Sequence, residues 1–183
     1  MGTKEKITSS FLKLGEEEGF DRVSLSMIAE DCGIKKASIF SHFKSRDEIE
    51  NEALKKCLES LGEKQFEINF RAKDVEELFV GLINSFIDVF TDFPQSALLS
   101  YCEQKKTTSE KAFRISEDID RIISSRLLVT LDYCVQRSWT GWNNTDSLSL
   151  LLCPPVRNML LGFLSEETLI NLILHLLKER NAD

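Results

Sequence analysis

The residues from Lys35 to Arg46 carry the most distinctive chemistry of the chain. Lys35, Lys36, Lys44 and Arg46 lie within this short stretch, and no acidic residue interrupts them. The chain as a whole has a net charge of -7, so this cluster of cations stands out against an acidic background. Clustered lysine and arginine side chains bind nucleic acids, because each phosphate contact releases condensed counterions. The stretch is therefore a candidate phosphate-binding surface.

Other kinds of site chemistry are poorly represented in the sequence. The five cysteines are widely spaced without a CxxC pair, and the chain has only 2 histidines, so the ligand spacing of a zinc site is missing. The sequence contains neither a glycine-rich phosphate loop nor a G-x-S-x-G nucleophile motif. We therefore expect no enzymatic activity, no metal and no cofactor. The cysteines are expected to be small buried apolar residues, with a thiol redox switch as the alternative.

The cationic stretch overlaps a segment with the spacing of a helix-turn-helix. When Leu25 is counted as position one, Ala29, Gly33 and Ile39 fall at the fifth, ninth and fifteenth positions. A small alanine allows two short helices to cross closely, and glycine tolerates the positive φ of a tight turn. Ser24 is suited to cap the first of these helices. A helical hairpin without DNA-binding function is the alternative that this spacing alone leaves open.

The rest of the sequence predicts helices that position this segment. Glycine and proline are rare, at 8 and 3 residues, and apolar residues recur every three or four positions, so we expect an all-α fold. Gly19 should end the first helix, the capping-box spacing of Ser45 and Glu48 should begin a linking helix, and Pro154 and Pro155 should kink or restart another. The predicted helices cover about residues 4–18, 25–31, 35–41, 46–61, 75–91, 95–104, 111–137, 147–163 and 166–180.

Targeting and membrane segments are not evident in the sequence. The first residues are polar and charged, unlike the apolar run of a secretory signal. No uninterrupted apolar stretch reaches the roughly 20 residues that a membrane-spanning helix requires. We therefore expect a soluble, cytoplasmic protein without a membrane partner.

The segment and its flanks together resemble the DNA-binding domain of the TetR family. The resemblance covers about residues 4–55 and includes Gly19-Phe20, the Ser24 cap, the run from Ile39 to Phe43 and the run from Lys44 to Glu48. It implies an all-α protein with an N-terminal three-helix helix-turn-helix domain at residues 1–48. A C-terminal helical domain at residues 49–183 would bind an effector and dimerise.

The resemblance also implies a function and partners. The expected function is that of a sequence-specific transcriptional regulator, a repressor that a small, largely apolar effector releases from a palindromic operator in double-stranded DNA. The alternative is a helix-turn-helix protein without a small-molecule effector, controlled by a protein partner. By position, base-facing roles fall to Ser26, Lys35, Lys36 and Ala37, and phosphate or groove-edge roles to Ser24, Ser38, Phe40, His42, Lys44 and Arg46.

Two of these positions depart from the usual pattern of the family. Phe40 stands where the family usually has tyrosine, so a hydroxyl contact to phosphate is replaced by apolar contact alone. Ser26 stands where many members carry a longer polar residue, which weakens the expectation of direct base readout at this position.

Aromatic residues are concentrated in the C-terminal two thirds of the chain. They suit either core packing or, as the family resemblance implies, the lining of a mostly apolar effector pocket. The effector-binding candidates are Phe79, Phe86, Phe90, Tyr101, Phe113, Tyr133 and Trp139.

The last predicted helix is apolar around most of its circumference. One packed face cannot hide so wide a stripe, so we expect a homodimer, with a helix threaded through the centre of the monomer as the alternative. The dimer-interface candidates are Met159, Leu160, Phe163, Leu169, Ile170, Ile173 and Leu177.

Overall fold

The computed structural model describes residues 2–178, and this part of the chain is helical without any β-strand. The all-α prediction is therefore confirmed. The predicted end of the last helix at residue 180 lies outside the described residues. The helices in chain order are α1 (Thr3–Leu14), α2 (Leu25–Asp31), α3 (Lys36–Ile39), α4 (Arg46–Glu63), α5 (Val75–Phe90), α6 (Gln95–Lys105), α7 (Glu110–Gln136), α8 (Thr145–Leu160) and α9 (Glu166–Lys178).

Several helix bounds differ from their predictions, among them α8, which was expected at residues 147–163 and covers Thr145–Leu160. The first helix was expected to run to residue 18, but α1 ends at Leu14 and continues as a π-helical turn over Gly15–Gly19. Gly19 ends this turn with a φ of 96°, which is the role predicted for it. α3 covers only Lys36–Ile39 rather than residues 35–41.

α8 does not restart at its two prolines. The helix runs continuously through Pro154 and Pro155, although each proline removes one backbone hydrogen bond to the residue four positions earlier. Those earlier residues are Leu150 and Leu151, which are 66% and 56% exposed, so we infer that water can satisfy their carbonyl groups. None of the helices in the described residues is both long and apolar enough to cross a membrane.

The described chain divides into two compact units. The first unit comprises the residues up to Lys64 together with Asp92–Phe113, and the second comprises Gln65–Thr91 and the residues from Arg114 onward. α4 and α6 therefore belong to the same unit as the helix-turn-helix. The functional boundary between residues 48 and 49 remains a prediction.

The first unit is built around α1, which packs against α2, α4 and α6. Ile7 and Phe11 on α1 have no exposed surface. The Phe11 ring lies 5.7 Å from the Phe20 ring, and the Phe20 ring lies 5.1 Å from the ring of Tyr101 on α6, edge to face. Each buried phenylalanine contributes roughly 1.5–3 kcal/mol relative to exposure, so this aromatic row joins α6 firmly to the N-terminal helices.

The second unit packs α5 against α8 and α9. Leu78, Leu82 and Phe86 recur at helical spacing on α5 and are fully buried. Leu169 and Ile173 on α9 are fully buried as well. Amphipathic spacing on each helix therefore builds one continuous core in this unit.

Four of the five cysteines are buried, as expected, while Cys32 is half-buried. Burial raises the pKa of both the Cys57 and the Cys134 thiols to about 12. These two thiols are therefore protonated near neutral pH and behave as small apolar groups. The thiol redox switch remains an untested alternative.

An ion pair between a buried arginine and a partly exposed aspartate joins α7 to α8 in the second unit. The Arg157 side chain is only 9% exposed, and its Nη1 donates to Asp120 Oδ1 at 2.6 Å and to the Ser116 carbonyl at 3.3 Å. Its Nη2 is buried and meets no acceptor among the described residues. Arg157 therefore depends on Asp120 for charge compensation.

We predict that Asp120→Ala lowers the free energy of unfolding more than Arg157→Met does. Removing the carboxylate leaves a buried guanidinium without its counter-charge, at a cost of about 1–3 kcal/mol once the partial exposure of Asp120 is considered. Replacing the arginine by methionine instead removes both the charge and the unpaired Nη2. Urea denaturation measures both variants, and the double variant should unfold like Arg157→Met alone. A larger loss in Arg157→Met than in Asp120→Ala would contradict this account.

Candidate nucleic-acid interface

The turn between α2 and α3 is fixed by backbone hydrogen bonds around Gly33. The Ile34 N–H donates to the Ala29 carbonyl at 2.9 Å, and the Gly33 N–H donates to the Glu30 carbonyl at 3.0 Å. This pair of bonds is the Schellman motif, which requires a left-handed residue after the helix. Gly33 supplies it with a φ of 67°. The glycine position predicted from the spacing therefore makes the turn that orients α3.

Side-chain caps determine where α2 and α4 begin. Ser24 Oγ accepts from the Met27 N–H at 3.3 Å, which confirms the predicted cap of α2. Ser45 Oγ accepts from the Glu48 N–H at 3.1 Å at the start of α4. Glu48 Oε2 accepts from the Lys44 N–H at 2.6 Å rather than from the Ser45 N–H, so the predicted capping box is shifted by one residue on its return bond.

Most of the predicted DNA-contacting residues lie on the surface of the first unit. Ile39 is fully buried and anchors α3, while Phe40 directly after it is 54% exposed. Ser38 and Arg46 are half-buried. The exposed members of the predicted set are Ser24, Ser26, Lys35, Lys36, Ala37, Phe40, His42 and Lys44.

The lysines of this surface are electrostatically available. None of the ion pairs between described residues involves Lys35, Lys36 or Lys44. An exposed ammonium without an internal counter-charge gains more electrostatic free energy from a phosphate than an ammonium that is already paired with a carboxylate. These three side chains therefore form a cationic surface beside α3, which we call the recognition surface.

Arg46 is engaged inside the first unit, unlike the three lysines, and its phosphate contact remains a prediction. Its Nε donates to the Val23 carbonyl at 2.8 Å, and its Nη2 donates to the Phe20 carbonyl. Its Nη1 pairs with Glu50 Oε2 at 3.2 Å, and the guanidinium lies 5.3 Å from the centre of the Phe11 ring. Each of its three nitrogens is engaged inside the unit, so the side chain holds the fold together.

Glu50 extends this network to α6, which the sequence had not suggested. Its Oε1 accepts from the Tyr101 hydroxyl at 2.9 Å and lies 3.7 Å from Lys111 Nζ. Burial raises the pKa of the Tyr101 hydroxyl, so the phenol stays protonated and donates. Arg46, Glu50 and Tyr101 therefore form a partly buried polar chain from the segment before α2 to α6. We call these three residues the Arg46–Glu50–Tyr101 network.

The predicted effector-binding aromatics do not share one environment. Tyr101 and Phe113 belong to the first unit, whereas the other five belong to the second. Phe79, Phe86 and Phe90 are buried in the core, and Phe113 is 51% exposed. Tyr133 and Trp139 are half-buried neighbours whose ring centres lie 5.8 Å apart. Their role in effector binding remains a prediction.

The predicted dimer-interface residues are mostly internal. Leu169, Ile170, Ile173 and Leu177 are 0–8% exposed in the single chain, because α9 packs them against α5 and α8. In this conformation they offer no free surface to a second chain. Met159 is also buried, Leu160 is half-buried, and Phe163 is 73% exposed. Leu172, on the apolar α9, is 37% exposed, and Leu150 and Leu151 on α8 are exposed apolar residues outside the predicted interface.

The fold and the recognition surface define a helix-turn-helix protein with a helical C-terminal region. Residues 7–53 match the family model described as "Bacterial regulatory proteins, tetR family". The chain is 23% identical over 143 residues to the uncharacterized HTH-type transcriptional regulator YerO of Bacillus subtilis, in an alignment covering 73% of this chain and 48% of YerO. It is 38% identical over 58 residues to IcaR of Staphylococcus aureus, the biofilm operon icaADBC HTH-type negative transcriptional regulator, covering 32% and 31% of the two chains.

Two solved structures share the fold. A TetR-family transcriptional regulator from Marinobacter aquaeolei superimposes with a TM-score of 0.68 at 14% identity, covering 97% of this chain and 90% of that chain. AibR, solved with isovaleryl coenzyme A and operator DNA, superimposes with a TM-score of 0.63 at 13% identity, covering 95% and 97%. Residues 7–53 are therefore similar to the DNA-binding domain of TetR-family regulators, and the chain shares its fold with these two structures. The aligned region spans about half of YerO and a third of IcaR.

We predict that Lys44→Ala and Arg46→Ala have different consequences. Lys44→Ala should leave stability unchanged and reduce the slope of log K against log salt by about one, because one phosphate contact is lost. Arg46→Ala should leave that slope unchanged and lower the free energy of unfolding by about 2–3 kcal/mol, because buried carbonyls lose a charged donor. Fluorescence anisotropy across a salt series and urea denaturation measure the two quantities.

Arg46→Lys is the matched control for this comparison. It keeps the positive charge, but a single ammonium cannot reach the Val23 and Phe20 carbonyls and Glu50 together, so stability should still fall. If Arg46→Ala flattens the salt slope without loss of stability, Arg46 contacts phosphate after all.

Proposed function

We propose that the protein is a sequence-specific DNA-binding transcriptional regulator, a repressor that a small, largely apolar effector releases from its operator. One observation carries the proposal: Lys35, Lys36 and Lys44 are exposed and unpaired among the described residues, immediately around the helix that the Gly33 turn orients. Helix-turn-helix proteins insert such a helix into the major groove, where side chains reach the base edges.

The recognition surface and its neighbours would make two kinds of contact, one with base edges and one with phosphates. Lys36 and Ala37 lie at the start of α3, which is the part of a recognition helix that contacts base edges. Lys44 follows α3 and would contact phosphate, which adds affinity without sequence preference. Phe40 is exposed and without a hydroxyl, so it would make apolar contact at the groove edge. This arrangement supports sequence-specific binding.

The effector assignment is supported by the family and by the aromatic content of the second unit. The effector of such a repressor must bind the DNA-free conformation more tightly than the DNA-bound one. An effector with equal affinity for both conformations would leave their populations unchanged. A thermal-shift screen followed by operator titration tests this step. A compound that raises the melting temperature and lowers operator affinity would support it. A blank across chemically diverse compounds would favour control by a protein partner.

We infer that the protein acts as a homodimer through apolar residues of the second unit. Phe163 is 73% exposed, Leu150 is 66% exposed and Leu151 is 56% exposed. Large apolar side chains exposed in this way mark surfaces that other chains cover. A two-fold dimer would place two recognition helices roughly 34–36 Å apart, so that they meet successive major grooves of a palindrome.

We predict that binding-site selection from a random duplex library with the full chain enriches a palindrome. Lys36→Ala should enrich a degenerate version of it, with discrimination at one base pair per half-site reduced by about 1–3 kcal/mol, because a base-edge contact is lost. Sequencing of the selected pools measures both outcomes. Lys64→Ala, at an exposed lysine outside the recognition surface, is the control and should select the wild-type palindrome. Failure of the wild-type chain to enrich any sequence would refute the proposal.

We predict that the double variant Leu150→Asp, Phe163→Asp sediments as a monomer of 20.9 kDa, while the wild-type chain sediments as a dimer. Burying two carboxylates in an apolar interface is costly, because neither would find a counter-charge there. Ser125→Asp, at an exposed polar residue of α7, is the control and should remain dimeric. A wild-type monomer at high concentration would contradict the inference, and so would a dimeric double variant.

A further inference from the structure

A cleft in the first unit has not been used by any function considered so far. Its volume is about 510 Å³, within the range of about 300–1,000 Å³ that small-molecule sites occupy. One wall is a single face of α1, with Lys6, Ser9, Ser10 and Lys13 at the helical spacing of three, four and seven residues. The cleft is therefore large enough for a small organic molecule.

The charges of the cleft are unbalanced. Lys13 Nζ is 3.1 Å from Asp31 Oδ1, so these two residues neutralise each other at one end. Lys6 takes part in none of the ion pairs between described residues. Seven residues of α-helix separate the two lysines by roughly 10 Å, so Lys6 is a separate cation at the other end. The cleft therefore carries one positive charge in excess.

The remaining walls are apolar or offer hydroxyl groups. The Phe93 ring is 49% exposed and faces the cleft as one of its lining residues. Burial raises the pKa of the Cys32 thiol, so Cys32 lines the cleft as a neutral group. Ser10 is 4% exposed, and its hydroxyl is close enough to Asp31 to lower the pKa of that carboxyl. That hydroxyl nevertheless meets no partner at full hydrogen-bond geometry within the described residues.

We propose that this cleft binds a small organic acid that consists of one carboxylate and an apolar, aromatic-sized body. The carboxylate lies at Lys6, where the Ser9 hydroxyl can donate, and the apolar body lies against Phe93 and Cys32. A single excess cation suits a monoanion, and an exposed aromatic ring suits an apolar body. The site goes beyond the proposed function, because it lies in the unit of the helix-turn-helix rather than in the second unit.

The test is a two-dimensional amide NMR titration of the full chain with benzoate, in the absence of DNA. Benzyl alcohol, which keeps the ring and lacks the charge, is the matched probe. Benzoate should shift the amides of residues 6–13, 31, 32 and 93, and should bind about tenfold more tightly than benzyl alcohol. Lys6→Gln should remove this tenfold preference, while Phe93→Ala should weaken both probes alike.

Lys64→Gln is the control variant, since Lys64 is an exposed lysine of the same unit that does not line the cleft. It should retain the tenfold preference for benzoate. Unperturbed amides elsewhere in each spectrum report that the variant is folded. Equal binding of benzoate and benzyl alcohol to the wild-type chain would overturn the proposal. Amide shifts confined to residues outside the cleft would also overturn it. So would an equal preference for benzoate in the Lys6→Gln and Lys64→Gln variants. Because no DNA is present, these outcomes are independent of operator recognition.

Discussion

The guanidinium of Arg46 is the interaction on which the helix-turn-helix of this protein depends. The segment before α2 contains the backbone carbonyls of Phe20 and Val23, which lie outside the α-helices and accept their hydrogen bonds from the Arg46 side chain. Arg46, at the start of α4, donates to both carbonyls and pairs with Glu50 one turn further along. A planar group with five donors in a fixed fork can make these contacts simultaneously, and lysine cannot. The position of α2, and of the turn and recognition surface that follow it, is therefore tied to α4.

The Arg46–Glu50–Tyr101 network also connects Arg46 to α6. Because Glu50 also accepts from Tyr101, the chain of hydrogen bonds that holds the segment before α2 continues to α6. Removing one member leaves buried polar groups of the others unsatisfied, which costs more than the lost bond itself. A movement of α6 would therefore displace the helix-turn-helix through these polar contacts as well as through the Phe11, Phe20 and Tyr101 rings.

Features with local causes could be predicted from the sequence, and those with distant partners could not. The bounds of α2 followed from the Ser24 cap on one side and Gly33 on the other, both within a few residues. The internal hydrogen bonds of Arg46 could not be predicted, because its carbonyl partners lie 23 and 26 residues earlier, and nothing in a cationic run separates a residue that binds phosphate from one that binds backbone. The bond between Tyr101 and Glu50 could not be predicted either, because it spans 51 residues.

The apolar circumference of α9 was correctly recognised as unusual, but periodicity does not identify which side faces the chain's own core. α5 and α8 cover Leu169, Ile173 and Leu177, so the apolar residues exposed for a second chain come largely from elsewhere. α5 lies far from α9 in the sequence, so the spacing within α9 does not indicate which of its sides α5 covers. The lining of the cleft was missed for the same reason, since Lys6 and Phe93 are distant in sequence.

The recognition surface is expected to enter the major groove of duplex DNA. Methylation interference on a duplex selected by the full chain tests it directly, because guanine N7 lies in the major groove and adenine N3 in the minor groove. The account predicts that methylation at N7 blocks binding at two clusters separated by about one helical turn, while methylation at N3 within the same clusters has little effect. Interference at N3 alone, or at a single cluster without a symmetry mate, would contradict it.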